Sequence, residues 1–148
     1  MNYKQFQLNV GSRAVTIETG KYTEQANGSC VVRCGETAVM VTVCMSKTPR
    51  DGIDFFPLQV DYEEKMYAVG KIPGGFKRRE GRASDKAILT ARLIDRPLRP
   101  LFPKGLFNDV VVVATAPPVE PDVAPDPPAT IGSSVARDIS YPHWIVST

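Results

Sequence analysis

The chain has one histidine, His143, and three cysteines among 148 residues. A zinc centre needs about four ligands at short spacings, and these residues do not supply them. Cys30, Cys34 and Cys44 are odd in number and lack a C-x-x-C spacing. Cys30 and Cys34 fall along one expected strand, too far apart to bridge. Three reduced, buried thiols are therefore expected, as in a cytosolic compartment. No run approaches the length of a membrane span, and MNYKQFQLNV lacks the apolar core of a signal peptide. The chain reads as soluble and cytoplasmic. Neither G-x-x-x-x-G-K-[ST] nor G-x-G-x-x-G occurs, which argues against a P-loop or a dinucleotide fold. No paired carboxylates stand out as an acid and base, so no catalytic residue and no metal ligand set is expected in this chain.

Excess charge is also small overall, at +2, but it is unevenly placed. Between Lys71 and Lys104 there are ten Lys/Arg against Glu80, Asp85 and Asp95, a local charge of +7. The rest of the chain then carries −5. One basic segment on an acidic protein implies a localised anion site more readily than a mixed, solvated surface does.

Hydrophobic content is 43% and charged content 23%, ordinary for one globular domain. Phe6, Leu8 and Val10 alternate with polar residues, and Val15 and Ile17 resume the pattern after Gly11-Ser12. Strands are expected over 30–33, 37–45, 55–62 and 109–116, with TAVMVTVCM buried on both faces. Ser84 is suited to cap a helix that carries Asp85 in its first turn and stops before Pro97. Residues 117–128 hold six prolines, and a short helix over about 129–139 follows. The order reads as α+β, a mostly antiparallel sheet packed with helices.

On the expected helix, Leu89, Arg92, Leu93 and Arg96 share one side, and Ala87, Ala91 and Ile94 share the other. Such a helix should be buried all round, and its arginines then need anions. Asp95 can reach Arg92 and Arg99 but cannot satisfy Arg92, Arg96 and Arg99 together. Phosphate suits the remaining guanidinium groups. Phe76-Lys77-Arg78-Arg79, between Gly75 and Gly81, sets an aromatic ring beside three cations. This suits stacking on a base with contacts to phosphates; the alternative is a ring tucked into the core and solvated cations. Asp61, Glu63 and Glu64 could attract a cation or simply end a strand. Gly132-Ser133-Ser134 could cradle phosphate or simply pack within a helix.

GKIPGGFKRREGR followed by SDKAILTARLIDRPLRPLFPKG resembles the first RNase PH-like domain of the polynucleotide phosphorylase (polyribonucleotide nucleotidyltransferase) family. The likeness runs upstream through GETAVMVTV and FFPLQVDYEEKMYAVGKIPG and downstream through DVVVVATA to PDVAPD, about residues 5–126. It implies an RNase PH-like fold, incomplete at its C-terminus, over residues 1–126, with a divergent tail over 127–148. Such proteins degrade RNA from its 3′ end, with inorganic phosphate as nucleophile, Mg2+ assisting and nucleoside diphosphates released. The resemblance places catalysis and Mg2+ in a second RNase PH-like domain outside this chain. It assigns this segment to RNA guidance and to building a homotrimeric ring, with single-stranded RNA and the RNA-degradation machinery as partners. Phe76 would stack on a base; Arg78 and Arg79 would hold phosphates. Lys77 stands where the family often has a second apolar or aromatic residue. Arg92, Arg96 and Arg99 would contact RNA or phosphate and pack the domain. A non-catalytic RNA-binding ring component and a fragment without function are the alternatives. A shortened chain should also leave sheet edges uncovered and tend to aggregate.

Overall fold

A computed structural model describes residues 3–49, 51–65, 83–116 and 125–145, with side chains to residue 140. Among the described residues, six strands form one sheet: β1 (Lys4–Val10), β2 (Arg13–Thr19), β3 (Gly28–Cys34), β4 (Thr37–Pro49), β5 (Leu58–Glu64) and β6 (Asn108–Ala116). Their spatial order is β1-β2-β3-β4-β6-β5. Every pairing is antiparallel except β5 with β6. That parallel pair requires a crossover, which helix α1 (Asp85–Leu98) supplies. Helix α2 (Asp126–Ile145) packs across β3 and β4.

Strand periodicity puts the core on one face. Thr37, Val39, Val41 and Val43 of β4 are fully buried, as are Val110, Val112 and Ala114 of β6. They meet Ala87, Ile94 and Leu98 of α1 and Ala129 and Ala136 of α2 in one cluster. The alternate residues Ala38, Met40 and Thr42 are only half-buried. The expectation of a β4 buried on both faces is thus corrected: among the described residues, both helices cover the same side of the sheet. Cys44 projects from the uncovered side and is exposed, whereas Cys30 and Cys34 are buried. The expected third buried thiol is corrected on the same ground. Cys44 alone should react rapidly with an aromatic disulfide reagent in the native chain, the other two thiols following only on unfolding in urea. Two fast thiols would contradict this placement.

Pro97 does not stop α1. The helix continues to Leu98 and tightens into a 3₁₀ turn over Arg99–Leu101. Pro97 deprives the Leu93 carbonyl of its helical donor. Leu93 is exposed, so water can take that role. Helix α2 is likewise longer than the expected 129–139 segment. Pro127 and Pro128 lie in its first turn, where a missing N–H costs nothing.

Candidate nucleic-acid interface

Ser84 fixes the start of α1. Its hydroxyl accepts from the Ala87 N–H at 3.1 Å, and its carbonyl accepts from the Ile88 N–H at 3.0 Å. Asp85 follows in the first turn, complementing the helix dipole. The far end is held more firmly. Arg99 donates to both carboxylate oxygens of Asp95, at 3.0 and 3.2 Å. It also donates to the carbonyls of Phe56 at 3.3 Å and Leu58 at 3.4 Å, at the start of β5. Phe56 and Phe102 pack with ring centroids 4.8 Å apart. Arg137 of α2 donates to the Leu101 carbonyl and lies over the Phe102 ring.

Between these anchors α1 is buried on one side only. Ala87, Thr90, Ile94 and Leu98 face the sheet. Leu89 is 66% exposed, Leu93 is 56% exposed, and Arg92 and Arg96 are exposed with them. The expectation of all-round burial is therefore corrected. Its grouping of Leu89, Arg92, Leu93 and Arg96 on one side stands, but that side faces solvent. Positions 92, 96 and 99 recur at i, i+4 and i+7, so the three arginines line one stripe about 10 Å long.

The stripe is divided by partnership. Arg99 is engaged by Asp95 and two backbone carbonyls. Among the described residues, Arg92 and Arg96 form no hydrogen bond or ion pair. Arg99 thus has three acceptors, Asp95 and the Phe56 and Leu58 carbonyls. Phe76, Lys77, Arg78 and Arg79 lie outside the described residues.

A second group, not singled out from the sequence, lies where α1, α2 and β5 meet. Thr90 donates to Asp126 at 3.0 Å, joining the two helices. Tyr62 is buried beside them, and its phenol is driven well above its ordinary range by burial first, then by the charges of Glu64 and Asp126. Only the buried position of Tyr62 in β5 could have pointed to it, because Asp126 is distant in sequence. The three acidic residues considered from the sequence separate. Asp61 accepts from Gln59, Glu63 pairs with Lys65, and Glu64 pairs with Lys86 at 3.7 Å. Among the described residues, no three His, Cys, Asp or Glu gather as metal ligands. Gly132, Ser133 and Ser134 lie within α2, and Ser133 donates to the Ala129 carbonyl at 2.7 Å. They form no loop. Among the described residues, no helix is long and apolar enough to cross a membrane.

Residues 11–136 match the model of the 3′ exoribonuclease family, domain 1 (RNase PH). The chain is 60% identical over 138 residues to a polyribonucleotide nucleotidyltransferase of Clostridioides difficile, covering 93% of this chain and 20% of that protein. It is 58% identical over 137 residues to polyribonucleotide nucleotidyltransferase 3 of Alkaliphilus metalliredigens, with the same coverage. The chain therefore spans about a fifth of the length of these relatives. Among solved structures, rice Rrp46 is similar at a TM-score of 0.63 and 15% identity, over 86% of this chain and 56% of that one. An archaeal exosome core is similar at 0.53 and 22%, over 82% and 46%. The Archaeoglobus fulgidus exosome with RNA bound to the active site is similar at 0.53 and 22%, over 82% and 49%. At those identities the solved structures speak to the fold, which is the α+β RNase PH-like fold expected from the sequence. With its model matched over most of the chain and its relatives so close in sequence, this polypeptide belongs to the RNase PH family of 3′ exoribonucleases, as a domain-1 segment of the polyribonucleotide nucleotidyltransferase type.

Proposed function

We propose that this segment guides single-stranded RNA within a polynucleotide phosphorylase, a cytoplasmic enzyme that shortens RNA from its 3′ end. In this reading inorganic phosphate attacks the terminal linkage and a nucleoside diphosphate leaves. That chemistry belongs to a second RNase PH-like domain, which also holds the Mg2+ ion. The present segment contributes RNA contacts and part of a homotrimeric ring, where the RNA-degradation machinery can dock. The Archaeoglobus fulgidus exosome, solved with RNA bound to its active site, is consistent with this reading.

The observation that carries the proposal is the pair Arg92 and Arg96. Two guanidinium groups stand exposed, one helical turn apart, on a helix fixed at both ends. Planar forks held in register suit successive phosphate oxygens. Arg99 continues the stripe but acts chiefly as the clamp that orients it. Phe76, Lys77, Arg78 and Arg79 lie a few residues before this helix in sequence, and the same reading gives them base stacking and phosphate contacts.

Fluorescence anisotropy with a labelled oligoadenylate over a salt series tests the assignment. Arg92→Ala and Arg96→Ala should each reduce the slope of log K against log salt by about 0.7. Phe76→Ala should cost about 1–3 kcal/mol of affinity with the slope unchanged. Arg99→Ala should instead lower the melting temperature. Unchanged slopes for both Arg92→Ala and Arg96→Ala would remove the stripe from the RNA path.

A further inference from the structure

We infer that a divalent cation binds where β5, α1 and α2 meet, held by the carboxylates of Glu64 and Asp126 and the phenol oxygen of Tyr62. Helix α1 packs against both β5 and α2, so the three elements bring these groups together inside the fold. Tyr62 is 3% exposed and Thr90 is 2% exposed. The Thr90 hydroxyl donates to Oδ1 of Asp126 at 3.0 Å. That bond fixes the carboxylate and, among the described residues, leaves its Oδ2 uncommitted. The charges of Glu64 and Asp126 both act on the Tyr62 phenol, which places its oxygen close to the two carboxylates. Yet among the described residues neither the Tyr62 hydroxyl nor Oε1 of Glu64 has an aligned hydrogen-bond partner, and both atoms are shut off from solvent.

A buried polar atom without a partner calls for a reason, and a bound water or ion is a common one. A water can serve both atoms, but it leaves the charge of two neighbouring carboxylates in place. The lysine beside them is Lys86, whose Nζ is 3.7 Å from Oε1 of Glu64 and whose side chain is 67% exposed. A loose, solvated pair of that kind contributes little. A monovalent ion would merely duplicate Lys86, whereas a divalent ion outweighs it.

The donor set is all oxygen, with no imidazole or thiolate, which selects hard ions such as Mg2+, Ca2+ or Mn2+ over Zn2+. Ions of the Mg2+ type are commonly held by one or two carboxylates and keep several waters, so a third acidic residue is not required. The Tyr62 oxygen adds a lone pair while its proton turns toward Glu64. An ion here ties a strand to two helices and stabilises the fold by mass action. This site is separate from the Mg2+ assigned to a second domain, and it does not rest on the RNA reading.

Electron paramagnetic resonance of Mn2+ titrated into the 148-residue chain tests the inference, because free Mn2+ gives a sharp signal that binding broadens. One Mn2+ should bind per chain, and Mg2+ should displace it. Glu64→Gln and Asp126→Asn should each weaken binding about tenfold or more, with far-ultraviolet circular dichroism unchanged. Lys86→Met, at an exposed position that folding does not need, should instead tighten binding about tenfold by removing the competing charge. Asp61→Asn and Glu63→Gln, on the same strand, should leave it unchanged. Absence of Mn2+ binding overturns the inference, as does binding that ignores Glu64→Gln and Lys86→Met or that follows Asp61 and Glu63. A Lys86→Met chain that folds normally and takes up no Mn2+ assigns the buried oxygens to a water and overturns it equally.

Discussion

Gly28→Ala is expected to lower the unfolding free energy by about 3 kcal/mol, the upper part of the range for overpacking a core. Gly28 opens β3 directly beneath α2. A methyl group there would fall well inside contact distance of the Ala136 carbonyl oxygen, and 3.0 Å from both the backbone nitrogen and Cβ of Ser140. These are mostly helix backbone atoms, which cannot swing aside as a side-chain tip would. The helix must lift from the sheet or the strand must sink. Either movement opens the contact that buries Val32, Val41 and Ala136. Gly132→Ala makes the matched comparison from the helix side. Its methyl group meets Val41 Cγ2 at 2.8 Å and Val32 Cγ2 at 3.1 Å, so side-chain rotation can relieve some of the strain. Alanine also gains about 1 kcal/mol of helix propensity over glycine. Gly132→Ala should therefore be the milder change. Urea unfolding followed by circular dichroism measures both. A Gly28→Ala variant within about 1 kcal/mol of the parent would mean that α2 does not rest on β3 in this way.

The alternation in β1 and β2 and the cap at Ser84 were legible because both follow from local chemistry. Phe6, Leu8 and Val10 announce a strand whatever the rest of the chain does. The side of α1 that faces solvent was not legible. Its two faces have similar apolar content, and the choice is made by β5, which offers Leu58, Val60 and Tyr62 to Ala87, Ile94 and Leu98. The division of labour among the arginines was hidden for a related reason. Asp95 is four residues from Arg99, a spacing visible in the sequence, but the Phe56 and Leu58 carbonyls lie more than forty positions away. The prolines misled in the opposite direction. Pro97, Pro127 and Pro128 look like stops, yet Pro127 and Pro128 sit in a first turn where no donor is needed, and Pro97 takes the helical donor only from the carbonyl of exposed Leu93. The family resemblance, carried by long specific stretches, survived these local errors because it does not depend on where an element ends.

Raising the pH above 9 should destabilise the chain more steeply than the titration of its surface groups alone would do. Cys30 lies between β3 and α2, and its thiol donates to the Gly132 carbonyl at 3.2 Å. Burial is the main cause that pushes its pKa from 9.0 up to about 12, with a hydrogen bond donated by the Ala136 backbone N–H pulling the other way. The folded state thus holds its proton where the unfolded state releases it. Stabilisation from this group is complete below pH 9 and disappears as pH rises to about 12. At about 1.4 kcal/mol per pH unit, the loss across that window approaches 4 kcal/mol. Tyr62 acts in the same direction from its ordinary value of 10.0 upward, because burial and the nearby Glu64 and Asp126 also disfavour its charged form. Urea midpoints at pH 8, 9.5 and 11 should fall progressively in the parent chain. Cys30→Ala should flatten the fall from pH 9 onward, and Tyr62→Phe should flatten only the part above pH 10. The comparison of slopes removes any constant cost of either substitution. If Cys30→Ala leaves the slope between pH 9.5 and 11 as steep as before, the thiol is not sealed beneath α2, and the close contact of helix and strand at Gly132 would have to be redrawn.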